Sequence, residues 1–152
     1  MPSIGTRILG VLLYMIPWSD SLSFGNHLYL KYPFTQIIQI PAIPIILIER
    51  SIPFGSLLLF VAIFLGLVRN SKVSYFLRFN ALQSLLINIG IIIVNFMFEI
   101  IFRPFLNSLI VRTFSSTLFI SIFSVIVFCA WSCTKGNEPN LPGISQATKM
   151  QL

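Results

Sequence analysis

Three stretches of this 152-residue chain carry no charged side chain: Ser51–Val68 over 18 residues, Phe79–Phe98 over 20 and Thr113–Thr134 over 22. A helix rises about 1.5 Å per residue and a bilayer's hydrocarbon core is about 30 Å thick, so each window can roughly span it. Charged residues make up 9% of the chain, against about 25% in an ordinary soluble domain. The expected fold class is therefore all-α and integral to a membrane: a bundle of four transmembrane helices with one additional Pro-broken re-entrant or interfacial segment. In a single polytopic membrane domain, 1–152, the spans are expected at about residues 4–24, 51–69, 77–102 and 113–134. The kinked segment is expected at 34–48 and a polar tail at 135–152.

The N-terminal span is the least regular. Only 12 residues separate Arg7 from Asp20, about 18 Å of helix. Crossing then requires Asp20 at the far interface, with Trp18 and Tyr29 as belt aromatics. No small-x-small cleavage site follows, and the Arg and Ser enrichment of a transit peptide is absent, so neither targeting segment is expected. Gly25–Pro33 reads as a polar link holding His27. In Phe34–Ile48 the residues Gln36, Gln39, Pro41 and Pro44 interrupt an apolar run, and each interior proline removes an intrahelical bond.

The next informative pattern is polar. Asn80, Ser84, Asn88, Asn95 and Glu99 fall within about 100° of arc on one helix. Polar groups are costly in hydrocarbon, so this face must look at protein or water. Thr117, Ser121, Ser124 and Ser132 share a face of the last helix and are the expected partners of Asn88 and Asn95. All of these but Ser132 are candidate path-lining or helix-contact residues. Two readings stay open: interhelical hydrogen bonds worth about 0.6–2 kcal/mol each, or the wall of a wet cavity or polypeptide path. Glu99 stands four residues before Arg103, the favourable order for a helical ion pair. Gly55, Ala62 and Gly66 form a small-residue stripe that allows close helix packing. Arg69, Asn70, Lys72 and Arg78 mark a basic turn between spans, with Ser71 or Ser74 as N-cap of the helix that follows.

Several classes are excluded. The ten basic residues behind the net charge of +6 are scattered singly, so no nucleic acid partner is expected. Cys129 and Cys133 lie side by side on one helix, poorly placed for a mutual disulfide, and read as packing residues. With His27 distant, they make no metal site. No Ser/His/Asp set, HExxH or Gly-rich phosphate loop appears, so the chain is expected to be no enzyme and to need no cofactor or metal. With four spans, one side holds Arg7, Arg69, Lys72, Arg78, Lys135 and Lys149, and the other Lys31, Arg50, Arg103 and Arg112. This excess favours both termini on the synthesis side of the membrane.

Four segments resemble the Tic20 family, small multispanning subunits of the chloroplast inner-envelope protein translocon and their cyanobacterial relatives: LYMIPWSDSLSFG, SIPFGSLLLFVAIFLGLVRN, YFLRFNALQSLLINI and NLPGISQATKMQL. The RN turn followed by the RFNALQ helix start is the most specific of them. The resemblance covers nearly the whole chain and implies four membrane helices and no catalytic residues. It further implies a membrane subunit of the plastid inner-envelope preprotein import translocon, with other translocon membrane subunits, translocating preproteins and the lipid bilayer as partners. The termini are then expected to be stromal. The chain starts near the family core, and it holds 24 Ile and 15 Phe against 5 Ala. Together these point to a plastid-encoded algal member, or alternatively to a cyanobacterial membrane. A structural or assembly subunit of another multi-subunit membrane complex is the second reading. A small-solute transporter is the third, disfavoured because no inverted repeat is evident.

Overall fold

A computed structural model describes residues 2–105 and 108–152. The described residues are mostly helical and form no strand, with six main helical elements. α1 covers Ile4–Lys31, α4 Tyr75–Phe102 and α5 Leu109–Thr134, each long and apolar enough to cross a membrane. Between α1 and α4 lie α2, Pro33–Ser51, and α3, Gly55–Val68, which meet at a 109° bend and together make one broken span or a re-entrant loop. α6, Ile144–Gln151, closes the tail. The fold is thus the expected all-α membrane class. Of the turn expected over Arg103–Arg112, Arg103–Phe105 is a single 3-10 turn, and residues 106–107 lie outside the described residues.

Helix starts follow from short polar side chains. The Thr6 N–H donates to Ser3 Oγ at 3.3 Å and the Val111 N–H to Ser108 Oγ at 3.3 Å, satisfying first-turn donors of α1 and α5. Ser74 precedes α4 in an extended conformation but caps it with its carbonyl, which accepts from Leu77 and Arg78 N–H groups. The expected N-cap position holds; a side-chain cap there does not form.

α1 runs on where a break was expected. It passes Asp20 and the expected Gly25–Pro33 link to end at Lys31, tightening to a 3-10 stretch over Leu22–Gly25. Its polar side chains are satisfied locally: Ser19, Ser21 and Ser23 hydroxyls donate to the carbonyls of Ile16, Trp18 and Asp20. Asp20 therefore sits inside a 28-residue helix, eleven residues before its end. Trp18 and Tyr29 are buried rather than placed as a belt. The Trp18 indole donates to the Ile38 carbonyl at 3.1 Å and packs on Phe123 at 4.7 Å between ring centroids.

α1 is the centre of the bundle. Its most apolar window is 61% buried, against 22% for those of α4 and α5. α4 and α5 instead turn large apolar side chains such as Ile92, Phe96, Ile120 and Phe128 outward, which in this class is the lipid-facing surface. Gly10 of α1 packs against Phe76 and Cys133, and Phe24 meets Phe98. α1 and α4 therefore run parallel and α5 antiparallel to both. The tail folds back on α4: Leu141, Ser145 and Thr148 are buried, and the Pro139 carbonyl accepts from the Gln83 amide and the Ser145 hydroxyl.

The bend between α2 and α3 has a clear cause. Pro41 and Pro44 weaken the helix entering it, and the Pro33–Ala42 part is 3-10. At the corner Phe54 takes a left-handed conformation, φ 58°. Gly55 follows, packed on the Glu49 backbone so closely that a Cβ would overlap the Glu49 carbonyl. Gly55 is the only member of the small-residue stripe that meets a neighbour. Ala62 and Gly66 are exposed, and nothing lies within 4 Å of a Cβ built on Gly66. Within the chain, the close helix approach expected at that stripe occurs at Gly55 and not at Gly66.

A polar seam between α1 and α4 as candidate functional site

The polar face of α4 is real, and it looks at α1. Asn80 is fully buried; its Oδ1 accepts from the Tyr14 hydroxyl at 3.0 Å and from the Cys133 thiol at 3.0 Å, while its amide donates to the Phe76 carbonyl. Two turns on, the Asn88 amide donates to Asp20 Oδ2 at 2.9 Å. Two further turns on, the Asn95 amide donates to Ser23 Oγ at 3.1 Å. Ser84 is buried on the same face and donates to the Ala81 carbonyl. Glu99 is exposed, beyond the seam, and only its carbonyl joins it to Arg103, by accepting the Arg103 N–H.

The partner expected for this face was the hydroxyl stripe of α5, and that expectation is overturned. Thr117, Ser121 and Ser124 are exposed and donate to the carbonyls of Thr113, Thr117 and Ile120 on their own helix; Ser132 does the same to Phe128. Such i−4 bonds satisfy a hydroxyl without a neighbour. The α5 hydroxyl that does reach α1 is Ser115, which donates to the Phe24 carbonyl at 2.8 Å.

Sequence reasoning missed Tyr14, Asp20, Ser23, Gln83 and Glu49. Asp20 was hidden by the short apolar run before it. Glu49 stood among charges at the end of an apolar stretch, where an interface is the ordinary reading. In the fold Glu49 lines a cavity of about 280 Å³ with Ser56, Leu57 and Phe60 of α3 and Asn88 of α4. Its Oε1 is buried and has no hydrogen-bond partner among the described residues. The bend thus delivers one carboxylate to a cavity also lined by Asn88, whose amide holds a second, Asp20.

The basic turn is tied to α4 by Arg78, whose Nε donates to the Val68 carbonyl at 2.9 Å. Asn70 Oδ1 accepts the Lys72 N–H, closing a local turn, and Arg69 and Lys72 are exposed. Arg7 reaches the Thr134 carbonyl at 3.5 Å, so the start of α1 meets the end of α5.

Replacing Tyr14 by Phe removes one of two donors to Asn80 Oδ1. It is expected to lower unfolding free energy by about 1 kcal/mol, read by SDS titration in mixed micelles. Asn80→Leu, which strands both donors, is expected to lose at least twice as much.

An all-α polytopic membrane protein built on an internal seam of amides and carboxylates is the class that this fold and site define. The family model described as "Chloroplast import apparatus Tic20-like" matches residues 1–148, and the chain belongs to that Tic20 family. It is 35% identical over 98 residues to a Tic20 family protein of Synechocystis sp., a match covering 64% of this chain and 61% of that protein. It is 34% identical over 83 residues to "Protein TIC 20-II, chloroplastic" of Arabidopsis thaliana, covering 55% of this chain and 40% of that protein. To "Protein TIC 20-v, chloroplastic" of the same plant it is 30% identical over 86 residues, covering 57% and 41%. The matches thus span less than two thirds of each relative's own length.

Proposed function

We propose that this chain is a membrane subunit of the plastid inner-envelope preprotein import translocon, helping to form or brace the polypeptide path. Family membership and the chloroplastic relatives support the assignment to import. The observation that carries the role at the path is the cavity at the α2–α3 bend, lined by Asn88 and by Glu49, one of whose buried oxygens has no hydrogen-bond partner among the described residues. Buried unpaired polar groups are expensive and mark functional sites in membranes. A small bundle cannot enclose a wide pore alone, so the path forms against other translocon membrane subunits, with translocating preproteins passing along the open side. Both termini lie in the stroma, on the side carrying the larger basic count.

A photo-crosslinking residue at 56, in the cavity, is expected to capture a preprotein arrested during import into isolated plastids. The same probe at 66, on the outward face of α3, is expected to capture none. Import at the normal rate with no adduct from 56 counts against a lining role.

The bracing reading has its own support. Asn80, Asn88 and Asn95 all have partners within the chain, which is what a structural or assembly subunit requires. Under it, Asn95→Leu lowers complex abundance without changing translocation per assembled complex.

A further inference from the structure

A second, larger cavity lies between the last turns of α1 and the first half of α5. Its volume is about 820 Å³, and His27, Lys31 and Arg112 stand on it together with Leu28 and Ile120. No carboxylate lines it among the described residues. Lys31 closes α1 and Arg112 lies in the first turn of α5, so both cations sit where two spans reach the membrane surface. The Lys31 ammonium rests over the Tyr32 ring at 5.5 Å from its centroid, which holds it at the rim. From Arg112 to Ile120 the helix descends about 12 Å, so the groove passes from charge to hydrocarbon within one acyl chain's reach. The Ser116 hydroxyl stands on the same wall and makes no protein hydrogen bond among the described residues.

We propose that this groove binds an anionic phospholipid, the phosphate between Lys31 and Arg112 and one acyl chain along Leu28 and Ile120. Charge complementarity argues for the headgroup and the apolar floor for the chain. Two cations without a nearby carboxylate attract an anion, and a basic pocket between membrane helices suits a phosphate headgroup. The placement does not depend on the import reading.

The test uses the full chain purified in detergent, with phosphatidylglycerol or phosphatidylcholine added and bound lipid counted by native mass spectrometry. The combined variant Lys31→Gln with Arg112→Gln is expected to bind phosphatidylglycerol roughly thirtyfold more weakly and phosphatidylcholine unchanged. Arg69→Gln with Lys72→Gln removes equal charge at the opposite end and is expected to change neither. Lys31→Arg with Arg112→Lys keeps the charge and is expected to keep the binding, which separates a lost site from a damaged fold. Unchanged phosphatidylglycerol binding in the first variant, equal loss in the second, or loss in the third overturns the proposal. So does full displacement of the lipid by millimolar glycerol phosphate, which assigns the site to a small free anion instead.

Discussion

Gly55→Ala is expected to lower the stability of the bundle by about 3 kcal/mol or more, the largest effect of any single added methyl. Overpacking in a side-chain core costs about 1–3 kcal/mol because side chains can shift. Here the group in the way is the Glu49 backbone carbonyl, and the preceding residue, Phe54, already holds a left-handed conformation. The corner therefore has little torsional freedom left, and relief requires α2 and α3 to swing apart. Loss of the corner also empties the wall that presents Glu49 to the cavity. Thermal unfolding in detergent reads the effect, with Gly66→Ala as control. That position has open space, so alanine there is expected to be neutral or to gain a few tenths of a kcal/mol from helix propensity. Equal shifts for the two variants would remove the corner from the account.

Asn88→Leu is expected to destabilise by about 2–3 kcal/mol, the range for losing a hydrogen bond to a carboxylate, here one that the fold half-buries. The amide it removes donates to Asp20 Oδ2 at 2.9 Å. Asn88→Asp is expected to be worse, since it sets one carboxylate against another. Exchanging the pair, Asp20→Asn with Asn88→Asp, restores a donor and an acceptor and is expected to recover most of the loss. Removing both polar groups, Asp20→Leu with Asn88→Leu, is expected to cost less than the Asn88 change alone, because no orphan remains. A double-mutant cycle in mixed micelles that returns no coupling between positions 20 and 88 contradicts the seam.

How much of this was legible beforehand differs by element. The helices at Tyr75–Phe102 and Leu109–Thr134 were plain, because long charge-free windows have few other uses. The polar arc on the first of these was plain as well, because 100° per residue is a property of one helix and needs no neighbour. Its partner was not readable, because partnership depends on how helices pack. The hydroxyls of Thr117, Ser121 and Ser124 offered a regular stripe, yet each is content with its own backbone. The irregular set on α1, Tyr14, Asp20 and Ser23, took the role instead. Polar residues inside α1 looked like a loop because hydropathy scores side chains singly, whereas Asp20 is tolerable only with Asn88 beside it. The α2–α3 bend was half legible: the prolines announced a break, but the close contact of Gly55 with Glu49 could not be inferred from spacing.

The burial of α1 has a consequence for how the molecule is made. The helix synthesised ahead of its shielding neighbours is the one least able to stand alone in acyl chains. Its half-buried acid and buried tyrosine find their partners on an asparagine-bearing helix some sixty residues later in the chain. The packing of α1 is therefore completed only once α4 is in place, because its polar side chains have their partners there.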